Sequence, residues 1–382
     1  MTTEKLYYEN CRLAVFTARV LACREREGGF AVLLDRTAFY PGGGGQACDT
    51  GTLGSSRVTG MAEENEEILH LCDRPLTPGE SVEGRIDWLP RFIRMQQHTG
   101  EHILSGLICR LYGYHNVGFH IGTEAVTLDF NGPLTEEQAR EAERLANECV
   151  WRDQPVHAWI PEKEELARLE YRSKKAIDGD VRIVSIDGVD TCACCGTHVP
   201  TTGMVGQIKV LSVQKYKGGV RLSILCGMRA LAMENQLLDE NRAVSQALSA
   251  KQGELAAAVQ RTIRERDDLR YRCEQLGMQL FAARAEGMRQ QPIRVLEGEM
   301  LSPAQLRKAA SLLAEGGRYG LVLLKKDGGW SFALCAPEAD ARAAAQMLNA
   351  RFGGKSGGPR DMVQGVLASG EPQEMQGVLA EL

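Results

Sequence analysis

Any fold available to this chain has to bring two short ligand pairs together from distant parts of the sequence. The first lies in Gln96-Gln97-His98-Thr99-Gly100-Glu101-His102-Ile103-Leu104, just after Pro90 and before an apolar run through Leu107 and Ile108. The pattern predicts a helix from Leu89 to about Tyr112, on which residues four apart share a face, so His98 and His102 can offer both imidazoles to one ion. The second pair lies in Thr191-Cys192-Ala193-Cys194-Cys195-Gly196-Thr197-His198-Val199, where Cys194 and His198 repeat the same step. Either pair alone is an ordinary surface or core feature. Together they supply three imidazoles and one thiolate, the mixed N and S donors that suit zinc. Cys192 and Cys195 are rival donors, with packing as their other role. Four protein ligands describe a closed site, whereas catalysis needs an open or expandable position. Either one of the four stands behind the ion, or coordination expands when substrate arrives.

Composition narrows the setting. A chain of 382 residues has room for two or three domains, and its 43% apolar and 25% charged residues are those of an ordinary globular protein. The net charge of −5 carries no global nucleic-acid signature, so any such surface must be a local patch. The twelve cysteines are scattered, and the opening residues show no basic-then-apolar signal pattern. No apolar run approaches the roughly 18 residues of a membrane span. A reduced, cytoplasmic setting is expected, in which clustered Cys and His read as metal ligands rather than disulfides.

Along the chain, residues 1–90 read as a small β-barrel. Short strands are predicted at 14–20, 29–34, 67–71 and 81–87, with no convincing helix between them. Phe39-Tyr40-Pro41-Gly42-Gly43-Gly44-Gly45-Gln46 interrupts them, and its four glycines permit positive φ and close backbone approach to a ligand, or simply a loose hairpin loop. Residues 91–226 read as an α/β domain holding the metal ligands. It includes a strand at 125–130, a helix opened by a Thr135/Gln138 capping box, a strand at 181–186 and a hairpin turning at Lys217-Gly218-Gly219. Residues 227–290 read as a helical or coiled-coil arm, with Leu248, Leu255, Leu269 and Leu276 on a seven-residue step and Val259, Cys273 and Leu280 beside them. Residues 291–382 read as a further α/β unit ending in the glycine-rich stretch Gly353 to Gly365. Backbone amides there, flanked by Arg351, Lys355 and Arg360, could hold phosphate. The Gly-Lys-Ser order lacks the first glycine and spacer of a P-loop, so nucleotide triphosphate binding is rejected.

Glu101 adds a second reading. His98-Thr99-Gly100-Glu101-His102 matches the H-x-x-E-H pattern of zinc metallopeptidases, in which the glutamate is a base. Beside the metal face it could take a proton from an activated water, or be no more than a residue of the first helical turns. The peptidase reading leaves Cys194, His198 and the C-terminal unit without a role. A non-catalytic tRNA-binding module with structural zinc is the third possibility.

Taken in order, these motifs resemble the long-form alanyl-tRNA editing proteins of the AlaX type, which are similar to the editing half of alanyl-tRNA synthetase. The resemblance covers essentially the whole chain. The glycine-rich Phe39 to Gly51 stretch is similar to the family's barrel motif, and His98, His102, Cys194 and His198 to its zinc ligands. The heptad helix and the Gly353 to Gly365 segment resemble its C-terminal DHH-associated domain. The resemblance implies a zinc-dependent hydrolase that removes a wrong amino acid, chiefly serine or glycine, from tRNA(Ala). Gly42 to Gly45 and Gln46 would line the pocket for the terminal adenosine and amino acid. Glu101, Thr99 and Gln46 are the catalytic candidates, with Thr99 also a substrate contact. Arg351, Lys355 and Arg360 would grip tRNA, and the C-terminal domain might pair two protomers. The chain departs from the family at Glu101, where threonine is common, and at Cys195, which replaces the central glycine of Cys-Gly-Gly-Thr-His. The first departure puts substrate preference in doubt; the second leaves ligand spacing intact. No aminoacylation core is visible in the sequence.

Overall fold

A computed structural model describes residues 3–173, 179–251, 253–299 and 301–382. The chain divides into two compact α+β units, Met1–Glu240 and Asn241–Leu382.

In the first unit, six strands pair in a cyclic order and close on themselves as a barrel. Around it run Val15–Arg26, Gly29–Leu34, Glu67–Cys72, Ser56–Glu64, Gly51–Leu53 and Ser81–Ile86, all pairs antiparallel. Strict alternation puts Val82 and Ile86 of the last strand inside, where they join Phe16, Val20, Val32, Leu34, Phe39, Leu53 and Val58. Strands Gly51–Leu53 and Ser56–Glu64 lie outside the four short runs that the sequence marks, and a four-residue helix, Leu6–Glu9, precedes the barrel.

The helix Trp88–Tyr112, here the site helix, follows directly and stops at Gly113, whose left-handed φ of 71° returns its amide to the Cys109 carbonyl. It buries Met95, Ile103, Leu104 and Ile108 in a core shared with a four-stranded antiparallel sheet. That sheet runs in the order Ile208–Tyr216, Gly219–Cys226, Val126–Phe130 and Asn116–Ile121. The helix Glu136–Trp151 packs alongside, opened by the Thr135/Gln138 capping box. A smaller sheet of His157–Trp159, Ile183–Ile186 and Asp190–Ala193 carries the chain into the cysteine cluster.

The predicted single arm over 227–290 is two helices, Gly227–Ala247 and Leu255–Glu286. Gly253 sits between them at φ +81°, and the boundary of the two units falls inside the first helix. On the second helix the heptad residues Leu269, Leu276 and Leu280 are exposed.

The second unit has a five-stranded sheet in the order Ile293–Glu297, Tyr319–Lys326, Gly329–Cys335, Met362–Leu367 and Gly354–Gly357. Helices Leu306–Ala314, Ala341–Phe352 and Pro372–Ala380 complete it. Here the expectation of an open phosphate loop is corrected. Gly354–Gly357 forms an edge strand antiparallel to Met362–Leu367, so its backbone is committed to a ladder on one side.

Candidate metal centre

The site helix turns His98 and His102 to the same side, and the loop after Asp190–Ala193 brings Cys194 and His198 to meet them. One ligand atom from each of the four lies within 4.8 Å of every other. Cys194 Sγ is 3.4 Å from His98 Nε2 and 3.4 Å from His198 Nε2. All three histidines are buried, with exposures of 1%, 2% and 4% for His98, His102 and His198. Cys192 is also buried and groups with His102 and Asp190, whereas Cys195 is exposed.

The outer nitrogen of each imidazole has its own acceptor. His98 Nδ1 donates to Gln46 Oε1 at 2.8 Å, His102 Nδ1 to Asp190 Oδ2 at 2.9 Å, and His198 Nδ1 to Thr99 Oγ1 at 3.2 Å. A proton held on Nδ1 leaves the Nε2 lone pair for an ion, the arrangement that metal-binding histidines adopt. The thiolate is held too, since the Gly196 amide donates to Cys194 Sγ at 3.4 Å. Arg182 anchors that loop by donating to the carbonyls of Cys194 and Gly196 at 3.0 and 2.9 Å. Only glycine fits at 196, because a Cβ there would stand 2.1 Å from His98 Cε1.

Electrostatics agree with a cation site. Burial would raise the Cys194 thiol, but the surrounding imidazoles hold it well below the ordinary thiol range. Burial, then the neighbouring His98, pushes His198 down to about 3. Burial also opposes ionisation of Asp190, yet the hydrogen bond from His102 and the bidentate Arg172 outweigh it and hold the carboxyl low. The donor set and its prearranged lone pairs fit a divalent metal ion.

The glycine run explains how the barrel reaches this centre. Gly42, Gly43, Gly44 and Gly45 have φ of 96°, 128°, 57° and 87°, a left-handed path closed to ordinary side chains. Gly43 and Gln46 exchange two backbone hydrogen bonds of 3.0 Å, which turns the Gln46 side chain inward while Gly43 and Gly44 stay exposed. Besides holding His98, Gln46 donates to Thr197 Oγ1 at 2.7 Å. Gly45 lies against Phe119, whose ring stacks on His98 with centroids 4.9 Å apart. A second tie is Arg91 of the site helix, fully buried and bonded through Nε to both Asp49 oxygens at 3.0 and 2.8 Å.

Of the residues singled out in the sequence, His98, His102, Cys194 and His198 meet. Thr99 and Gln46 stand behind histidines, with their polar atoms engaged by His198, His98 and Thr197 rather than directed at an open pocket. Glu101 is buried beside His102, its Oε2 3.7 Å from His102 Nε2. Arg351, Lys355 and Arg360 are exposed in the other compact unit, Arg360 pairing with Asp340 at 3.5 Å. Sequence reasoning misses Asp190, Arg172, Arg182, Ser105, Asn116 and Phe119. Only Asp190 leaves a signal, a lone carboxylate four residues before Cys194 where a histidine-orienting group is needed.

Comparison with known proteins places this geometry. Residues 181–222, which carry the Cys194 and His198 loop, match the threonyl and alanyl tRNA synthetase second additional domain. The chain is 34% identical to the alanine–tRNA ligase of Pyrococcus abyssi over 387 residues, covering 95% of this chain and 42% of that ligase. The corresponding ligase of Pyrococcus furiosus is 32% identical, again with 95% and 42% covered. The chain thus spans less than half the length of these ligases. The alanyl-tRNA editing protein AlaX-L of Pyrococcus horikoshii is 32% identical over 302 residues, 76% of this chain and 75% of that protein. With agreement at that level over three quarters of both proteins, this chain belongs to the alanyl-tRNA editing proteins of the AlaX-L kind.

Proposed function

We propose that this protein hydrolyses the ester joining a wrong amino acid, chiefly serine and also glycine, to tRNA(Ala), at a zinc centre held by His98, His102, Cys194 and His198. The observation that carries the reading is the convergence of the four ligand atoms with each imidazole's outer nitrogen already held. Tetrahedral zinc with ordinary bond lengths separates its ligand atoms by about 3.3–3.6 Å. The two Sγ to Nε2 separations of 3.4 Å match that spacing. When bound, the ion supplies Lewis acidity for an ester carbonyl or a water.

The chain's own residues do the rest. Gln46, Asp190 and Thr99 keep the three imidazoles oriented, and Glu101 presents a carboxylate beside them. The exposed backbone of Gly43 and Gly44 leaves room for the terminal adenosine next to His98 and Phe119. Serine is separated from alanine by its hydroxyl, and sites built to hydrogen-bond a hydroxyl discriminate best. Arg351, Lys355 and Arg360 are assigned to tRNA phosphates, which position the acceptor end without reading sequence. The exposed Leu269, Leu276 and Leu280 row is assigned to pairing with a second copy.

Incubation with seryl-, glycyl- and alanyl-tRNA(Ala) tests the reading. Seryl and glycyl esters should be cleaved well above the spontaneous rate and alanyl far more slowly; spontaneous rates for all three would overturn it. The closed four-ligand set favours one other reading, structural zinc in a tRNA-binding module. His98→Ala separates the two: a folded, inactive variant supports the enzyme, and an unfolded one supports the structural ion.

A further inference from the structure

Glu101 is 1% exposed, yet it is a carboxylate inside the catalytic domain's core. Its Oε1 accepts from the Ser105 hydroxyl at 2.8 Å and from Asn116 Nδ2 at 2.6 Å. The same Asn116 nitrogen reaches Ser105 Oγ at 3.0 Å, and Asn116 Oδ1 accepts from the Gly118 amide at 3.0 Å. These bonds fix the plane of the carboxylate. Its other oxygen, Oε2, is 3.7 Å from His102 Nε2, the nitrogen on the ligand-cluster side.

The geometry therefore presents a rigid, charged acceptor to whatever occupies the space beside the metal ligands. Ser105 and Asn116 are neutral donors, and an ionised carboxylate oxygen accepts more than one hydrogen bond. The substrate group that complements it is a cation carrying several donors. Every aminoacyl ester has one, the α-ammonium, a single carbon away from the carbonyl under attack. We propose that Glu101, oriented by Ser105 and Asn116, binds the substrate's α-ammonium, so that the site takes esters of free amino acids and rejects N-acylated, peptidyl-like esters. This deepens the deacylase reading and rests on it. Ser105 and Asn116 are positioning residues, acting through Glu101.

The test compares seryl-tRNA(Ala) with N-acetyl-seryl-tRNA(Ala). A parallel calorimetric titration uses amide-linked seryl-adenosine, which cannot be hydrolysed, with and without the N-acetyl group. For the wild type, a charge-assisted hydrogen bond predicts a preference of about 10- to 100-fold for the free amine in both kcat/KM and Kd. Glu101→Gln, which keeps the shape and the bonds from Ser105 and Asn116, should erase that preference by weakening only the free-amine compounds. Asn116→Ala should narrow it while leaving metal content unchanged. Equal handling of the two compounds by the wild type would overturn the proposal and leave the deacylase reading standing. So would a Glu101→Gln variant that slows both esters equally, as loss of a proton acceptor would. Cleavage of neither ester would overturn the deacylase reading and this proposal together.

Discussion

Asp190 Oδ2 accepts a 2.9 Å hydrogen bond from His102 Nδ1 while Arg172 grips the same carboxylate through both its oxygens at 2.7 and 2.9 Å. The carboxylate fixes the tautomer of His102, and the guanidinium fixes the carboxylate. Replacing Asp190 by Asn keeps the shape but removes the charge that strengthens His102 as a ligand. Metal affinity should fall about 10- to 100-fold, read by competition with a chromophoric chelator, with the fold intact by circular dichroism. Unchanged affinity would remove Asp190 from the account.

Gln46 is the corresponding partner of His98, and it comes from the barrel rather than from the metal domain. Gln46→Leu preserves volume while deleting the bonds to His98 and Thr197. The expected result is a loss of metal affinity of similar size and a fall in deacylation, with the barrel still folded. A variant that binds metal as the parent does would contradict the role assigned to this residue.

The Arg91 and Asp49 pair predicts a large stability effect. Both side chains are buried, and Asp49 also accepts from the Tyr40 amide at 2.7 Å. Arg91→Met strands a buried carboxylate and should cost about 3–5 kcal/mol, while adding Asp49→Leu should recover part of that loss. Denaturant unfolding measures both. A single variant as stable as the parent would show that the pair is not holding barrel to site helix.

His70 in the barrel predicts a pH dependence. Burial pushes it down to about 4, against 6.5 ordinarily, with Nδ1 donating to the Val32 carbonyl at 3.1 Å and Nε2 accepting from the Thr37 hydroxyl at 2.8 Å. The unfolded chain takes up the proton first, so this contribution to stability is intact above about pH 6.5 and is lost as pH falls toward 4. The loss amounts to about 3 kcal/mol. Wild type and His70→Gln should therefore converge in stability between pH 7 and pH 4. Parallel curves over that range would refute the assignment.

What was legible in the sequence had a period or a fixed spacing. The two four-residue ligand steps, the Thr135/Gln138 capping box and the Lys217-Gly218-Gly219 turn each encode geometry within a few residues. The alternation of Ser81 to Ile86 is equally local. The partners behind the ligands were hidden because nothing near Gln46 points to Thr197, 151 positions away, or near Asn116 to Glu101. Gly354–Gly357 became a strand through pairing with Met362–Leu367, which outweighs its own poor β propensity. The heptads over 248–280 read as continuous because apolar periodicity ignores Gly253, whose left-handed backbone accompanies the break between two helices. Gln46 and Thr99 were assigned to substrate from the resemblance, and the distances assign them to histidines instead.

The most direct test of the central claim follows seryl-tRNA(Ala) hydrolysis through metal removal and return. Purified protein should carry one zinc per chain, lose hydrolysis on exhaustive chelation, and regain both together when a single equivalent is restored. His98→Ala and Cys194→Ser variants should remain folded and regain neither. Full hydrolysis by the metal-free protein, or by either ligand variant, would contradict the account.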